Sequence, residues 1–93
     1  MPAEVYGDFE WDSEKSIANL DKHNIDFYNA CAMFCGTIIP IRSIVMEDGE
    51  LRFCCIGELQ GKCFSIIYTV RGNRKRLISV RRARKNERRI YSS

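Results

Sequence analysis

The sequence predicts an α+β fold in the order β-α-α-β-β-β-β-α, an antiparallel meander sheet packed by helices on one side. Three observations predict it. Apolar residues recur at helical spacing up to Gly36. Beyond that point they alternate or run on continuously, as strands do. The last stretch then returns to helical spacing, with Ala83, Glu87 and Tyr91 aligned on one side. A chain of 93 residues has room for one modest core, so residues 1–93 form a single domain.

The elements follow in order. "FEW" (Phe9 to Trp11) reads as a short strand. Asp12 or Ser13 can cap a first helix, with Glu14 near its positive end and Asn24 as a left-handed stop. Ile17, Leu20 and Ala18 supply its apolar stripe, whereas Lys15, Asn19, Lys22 and His23 share its polar face. Asp26 caps a second helix that turns Phe27, Ala30, Cys31 and Phe34 inward and ends at Gly36. Four strand-like runs come next, "TIIPIRSIVM", "LRFCCIGEL", "KCFSIIYTV" and "KRLISVRR". Their joints "EDGE", "LQGK" and "RGNR" each carry a glycine suited to a hairpin. Pro40 cannot donate a ladder hydrogen bond, so its strand belongs at a sheet edge.

The composition, 45% hydrophobic and 29% charged, is that of a folded protein. No apolar run reaches the ~18 residues of a membrane span, and no signal-peptide core is present, so the expected location is the cytoplasm. Five cysteines (Cys31, Cys35, Cys54, Cys55, Cys63) lack the paired spacing of a zinc site. They read as small apolar packing residues in a reducing compartment, and no cofactor or metal is expected.

Charge is the most informative feature. Residues 1–50 hold three Lys/Arg and ten Asp/Glu, whereas residues 51–93 hold twelve and two. The stretch "KRLISVRRARKNERRIY", residues 75–91, carries eight basic side chains and one acid, Glu87. Arg84 with Arg88, and Lys85 with Arg89, are like-charge i, i+4 pairs, which disfavour the helix. Arg81 shares a strand face with Leu77 and Ser79, while Arg82 turns the other way. Guanidinium groups converging from a strand and a neighbouring helix suit phosphate oxygens, so the pattern points to a polyanion, commonly nucleic acid.

The sequence resembles the BrnT family, the toxin half of a bacterial type II toxin–antitoxin system. "FEWDSEKSIANLDKHNIDF" resembles the family's F-x-W-D-x-x-K…N-x-x-K-H-G-V-x-F. The "RFCCIGELQGKCFSIIYT" meander carries Arg52, Gly57, Gly61 and Tyr68. "ISVRRARKNERRIY" is similar to I-S-A-R-[KR]-A…E-R…Y. Asn24 stands where the family usually has Gly, Val80 where it usually has Ala, and the cysteines belong to no family motif.

The resemblance implies a RelE-like compact fold and an endoribonuclease that cuts RNA without a metal and inhibits translation. It also implies a BrnA-like ribbon-helix-helix antitoxin as partner, in a dimer of heterodimers that binds operator DNA only through the complex. Metal-free cleavage needs a base for the ribose 2′-hydroxyl, an acid for the leaving 5′-oxygen and cations for the phosphorane. His23, the only histidine, is a base or acid on this reading, or else a structural hydrogen-bonder at a helix end. Arg52, Arg81 and Arg82 are candidates for phosphate binding and transition-state stabilisation. Glu87 is a general base or an ion-pair partner. Tyr91 is a proton donor, a stacking platform or a packing ring. Lys15, Lys22, Arg76, Arg84 and Arg88 are candidates for gripping RNA, while Trp11 is a core anchor before a base-stacker. The competing reading is a non-catalytic nucleic-acid-binding or regulatory partner domain.

Overall fold

The computed structural model describes residues 3–93. Its elements are β1 (Ala3–Tyr6), β2 (Phe9–Asp12), α1 (Ser13–His23), α2 (Phe27–Ala30), a 3-10 turn over Cys31–Cys35, β3 (Ile39–Val45), β4 (Leu51–Leu59), β5 (Lys62–Arg71), β6 (Arg74–Arg82) and α3 (Lys85–Ser92). The expected order holds, with β1 added in front. The sheet runs β1-β2-β6-β5-β4-β3. It is mixed: β2 pairs parallel with β6 through Phe9–Lys75 and Glu10–Arg76, and every other pairing is antiparallel. The parallel pair arises because α1, α2 and the meander carry the chain round between β2 and β6 before it returns alongside. Pro40 stands in β3, at an edge of the sheet, where its missing N–H breaks no inner ladder.

Local chemistry explains the ends of the first two helices. Asp12 Oδ1 accepts from Glu14 N at 2.9 Å, and Asp26 Oδ1 from Asn29 N at 2.8 Å, so both aspartates are N-caps. Asn24 closes α1 in the left-handed region, φ 59°, its N–H donating to Leu20 O at 2.9 Å. Between β4 and β5, Gln60 and Gly61 both have positive φ (53° and 77°), the signature of a tight two-residue hairpin.

The core lies between the sheet and the α1–α2 layer, where Trp11, Phe27, Met33, Ile66, Leu77 and Val80 are almost wholly buried. Gly57 keeps this layer close, since a Cβ there would lie 2.9 Å from Ile38 Cδ1 and 3.0 Å from Met33 Cβ. Helix α3 sits on the opposite side of the sheet. There it contacts β4 and β5 and covers the row Ile56–Ser65–Arg81. The helices are therefore on both faces, not on one.

Helix α1 differs most from expectation. Its apolar stripe faces outward: Ile17 is 69% exposed and Leu20 46% exposed. The buried side is polar, formed by Ser16 and Asn19, each 7% exposed. Hydrogen bonds decide the orientation. Ser16 Oγ accepts from Phe27 N at 3.0 Å, Asn19 Nδ2 donates to Ile25 O at 2.8 Å, and Asn19 Oδ1 accepts from Val80 N at 3.2 Å. Asn19 thus ties α1 to both the α1–α2 turn and β6, and it is buried where Lys15 and Lys22 are exposed. Asn19→Ala should cost about 2–4 kcal/mol, because it leaves a buried N–H and a buried carbonyl unpaired. Chemical denaturation of the two proteins measures this directly.

A second difference lies in β6. The pairing slips between Ile67–Ser79 and Tyr68–Leu77, which leaves Ile78 as the extra residue. The slip turns Leu77 into the helix-side core while Ser79 and Arg81 stay on the other face. Arg81 therefore does not share a face with Leu77.

Candidate functional site

Alternation along β6 separates the two adjacent arginines that the sequence singles out. Arg81 points to the α3 face and Arg82 to the α1–α2 face, so the expected site residues fall into two groups.

On the α3 face, Arg81 meets Glu87 in a two-pronged ion pair, Nη1–Oε1 and Nη2–Oε2 both at 2.9 Å. Glu87 Oε1 also accepts from Arg84 N at 2.7 Å, which closes the first turn of α3. Both carboxylate oxygens are engaged. The Arg81 guanidinium, first as hydrogen-bond donor, holds the Glu87 carboxyl below the usual range and is itself held further toward its charged form. Arg81 Nη1 additionally donates to Arg82 O at 3.0 Å. This cluster fixes the joint between β6 and α3.

Farther along that face the arginines are also answered by acids. Arg76 pairs with Glu10 at 2.8 Å. Arg52 pairs with Glu50 at 2.9 Å, and Arg71 approaches the same carboxylate at 3.5 Å, which lowers the Glu50 carboxyl. Arg52 and Arg76 flank the buried Thr69, whose hydroxyl donates to Leu51 O at 2.7 Å. Tyr91 reaches back from α3 to donate to Thr37 O at 3.3 Å, which ties the helix to the segment before β3. Arg88 Nη1 caps Ala83 O at 2.7 Å, and Arg84 is exposed at the head of the helix.

The α1–α2 face holds the second group. A cavity of about 460 Å³ opens between the end of α1 and the β4–β5 hairpin. That volume lies within the usual range for a small-molecule or nucleotide pocket. His23 and Leu20 line it from α1, Asp26 and Asn29 from the start of α2, and Lys62 and Arg82 from the sheet. Its placement follows from the sequence. Asn24 stops α1 so that His23 stands in the last turn, the Gln60–Gly61 hairpin folds Lys62 back beside β6, and strand parity brings Arg82 to the same side.

Arg82 lies over the Phe64 ring, 5.7 Å from its centroid, a cation–π contact that holds the guanidinium at the wall. Among the described residues neither Arg82 nor Lys62 takes part in an ion pair. These two cations are therefore available to an external anion, whereas Arg52, Arg76 and Arg81 carry an internal one. Lys15 and Lys22 stand on an exposed flank of α1 and line no part of this cavity.

Of the residues singled out from sequence, the fold brings His23 and Arg82 together here, and Arg81, Glu87 and Tyr91 together around α3. Lys62 was overlooked because the "LQGK" joint reads as turn chemistry alone. The i, i+8 offset between His23 and Lys15 carries no hint of a hairpin 40 residues away. Cys31, Cys54 and Cys55 are buried, and burial pushes the Cys31 and Cys55 thiols up to about 12, so these two remain protonated packing groups. No group of three or more His, Cys, Asp or Glu among the described residues is placed to share a metal ion. No helix among them is long and apolar enough to cross a membrane.

No curated protein matches the chain. Residues 11–87 match the family described as ribonuclease toxin, BrnT, of type II toxin-antitoxin system. That span takes in α1, the hairpin and β6, and with them every wall of the cavity. The chain therefore belongs to the BrnT family of ribonuclease toxins of type II toxin–antitoxin systems.

Proposed function

We propose that this chain cleaves RNA by attack of the ribose 2′-hydroxyl, without a metal ion, in the cavity between α1 and the β4–β5 hairpin. One observation carries the reading: the only histidine of the chain shares a concave site with two cations that form no ion pair among the described residues. His23 takes the proton from the 2′-hydroxyl as the 2′-oxygen–phosphorus bond forms. Arg82 and Lys62 bind the non-bridging oxygens and offset the charge that gathers on the phosphorane. The phosphorus–5′-oxygen bond then breaks, the departing oxygen takes up a proton from solvent water, and the products are a 2′,3′-cyclic phosphate and a 5′-hydroxyl.

Arg81 and Glu87 act at one remove. Their pair anchors the carbonyl of Arg82 and the first turn of α3, and so positions Arg82. A general-base role for Glu87 is disfavoured because a carboxylate held below its usual range and engaged at both oxygens is a poor proton acceptor. Cutting RNA in this way inhibits translation, and a BrnA-type antitoxin neutralises the toxin.

The test is incubation of the purified protein with a defined RNA in the presence of EDTA. Cleavage that persists and leaves cyclic-phosphate ends supports the proposal. Cleavage restored only by added divalent ion refutes metal independence. RNA bound tightly but never cut would instead favour the non-catalytic binding domain.

A further inference from the structure

Helix α1 shows two unlike flanks to solvent. Lys15 and Lys22 occupy one. The other carries Ile17 and Leu20, with Glu14 and Asp21 close by at helical spacing. Beside this second flank runs a shallow groove of about 190 Å³, bordered by Glu4, Ile17, Leu20, Asp26 and Tyr28. Its apolar rim is conspicuously uncovered. Ile17 is 69% exposed and Tyr28 54%, and the Tyr6 ring extends the strip by meeting Tyr28 at 4.9 Å. Contiguous apolar surface of this kind marks an interaction site more often than a bare monomer surface.

Trp11 borders the same groove and is 2% exposed. Its indole Nε1 is the one buried side-chain polar atom among the described residues with no hydrogen-bond partner.

We propose that this groove docks a cationic amphipathic helix of the antitoxin partner that type II membership implies. Ile17 and Leu20, one turn apart, offer the ridge against which a helix lays anchors at i, i+3 or i+4. The surrounding charge is acidic (Glu4, Glu14, Asp21 and Asp26), and no Lys or Arg lines the groove, so flanking Lys or Arg on the partner is favoured. This gives a role to the acidic N-terminal half, which an RNA-binding surface does not explain.

A second copy of the chain fits less well. Its basic helix α3 has a single large apolar residue exposed, Ile90, and a contact between α1 of one copy and α3 of the next is head-to-tail and need not close.

The position of the groove has a consequence. Leu20 and Asp26 line both the groove and the His23–Arg82 cavity. A helix seated on Leu20 therefore lies at the cavity mouth and shuts RNA out without neutralising a single active-site cation. This blocking step rests on the cavity reading; the docking itself does not.

The experiment is calorimetric titration of the toxin with the purified BrnA-type antitoxin, for the parent and for Ile17→Glu, Tyr28→Glu and the milder Ile17→Ala. Both positions are exposed and neither lines the cavity, so folding and RNA cleavage by the free variants should be unchanged. The Glu variants should bind about 10–100-fold more weakly and Ile17→Ala by a smaller factor in the same direction. Glu14→Lys with Asp21→Lys should weaken binding at low salt and less at high salt.

Affinities within twofold of the parent for all three apolar variants would overturn the proposal. So would a dimer of the toxin alone that Ile17→Glu dissolves, which would give the groove to a second copy. Binding lost in Ile17→Glu while His23→Gln still cleaves RNA would support the docking site and defeat only the cavity reading.

Discussion

His23→Gln and Arg82→Ala should each slow RNA cleavage by about 10²–10⁴-fold, with the thermal midpoint little changed. The reason for so large an effect is the isolation of the site. His23 is the only imidazole in the chain, so no second group of its kind can take over proton transfer. Arg82 is half of the cation pair left free to meet a phosphate, and Lys62 alone provides a point charge where Arg82 offers a planar fork. Lys62→Ala should lower activity by a smaller factor through weaker binding. Single-turnover cleavage of a short fluorescent RNA separates the two effects, since loss of Arg82 should reduce the chemical rate and loss of Lys62 chiefly the apparent affinity. Arg81→Ala is the instructive control. It should also reduce cleavage, but together with stability, because it acts by positioning. Full activity in both His23→Gln and Arg82→Ala would move the chemistry to the α3 face.

A large stability effect is also expected at Glu87. Glu87→Ala removes the anion that answers Arg81 and the acceptor of Arg84 N, on a side chain only 6% exposed. The Arg81 side chain is about a quarter exposed, so water recovers part of the loss. An expected cost of about 2–3 kcal/mol follows, which for a domain of this size lowers the melting temperature by roughly 10–20 °C.

The pair also fixes the sign of a pH effect. Glu87 is depressed in the folded protein, first by its hydrogen bond from Arg81. A depressed carboxyl contributes its full stability above the ordinary glutamate range, and that contribution is lost as pH falls through the folded value. The parent should therefore lose stability on acidification more steeply than Glu87→Gln, and their stabilities should converge in acid. Parallel acid limbs in urea titrations at several pH values would contradict the assignment.

Much of this protein was legible in its residues. Asp12, Asp26 and Asn24 mark helix ends by short-range hydrogen bonding, and such signals depend on neighbours in sequence alone. The four meander strands and the edge position of Pro40 follow from side-chain alternation and from a missing donor. Arg81 and Arg82 point opposite ways because strand parity requires it. The family motifs run through these same segments.

The sequence by itself thus determined the α+β class, the element order, the turns and the placing of positive charge in the second half of the chain. Tertiary structure alone decided the rest. Ile17 and Leu20 look like core residues by hydrophobicity, yet Ser16 and Asn19 are buried instead, because Phe27 N–H, Val80 N–H and the Ile25 carbonyl needed partners and unpaired backbone groups are costlier than an exposed leucine. The slip at Ile78 turned Leu77 inward, an irregularity visible only against the partner strand. His23, Lys62 and Arg82 form one site because a helix end, a hairpin and a strand end meet in space. Local propensity holds no information about such a meeting, because it depends on how the layers pack.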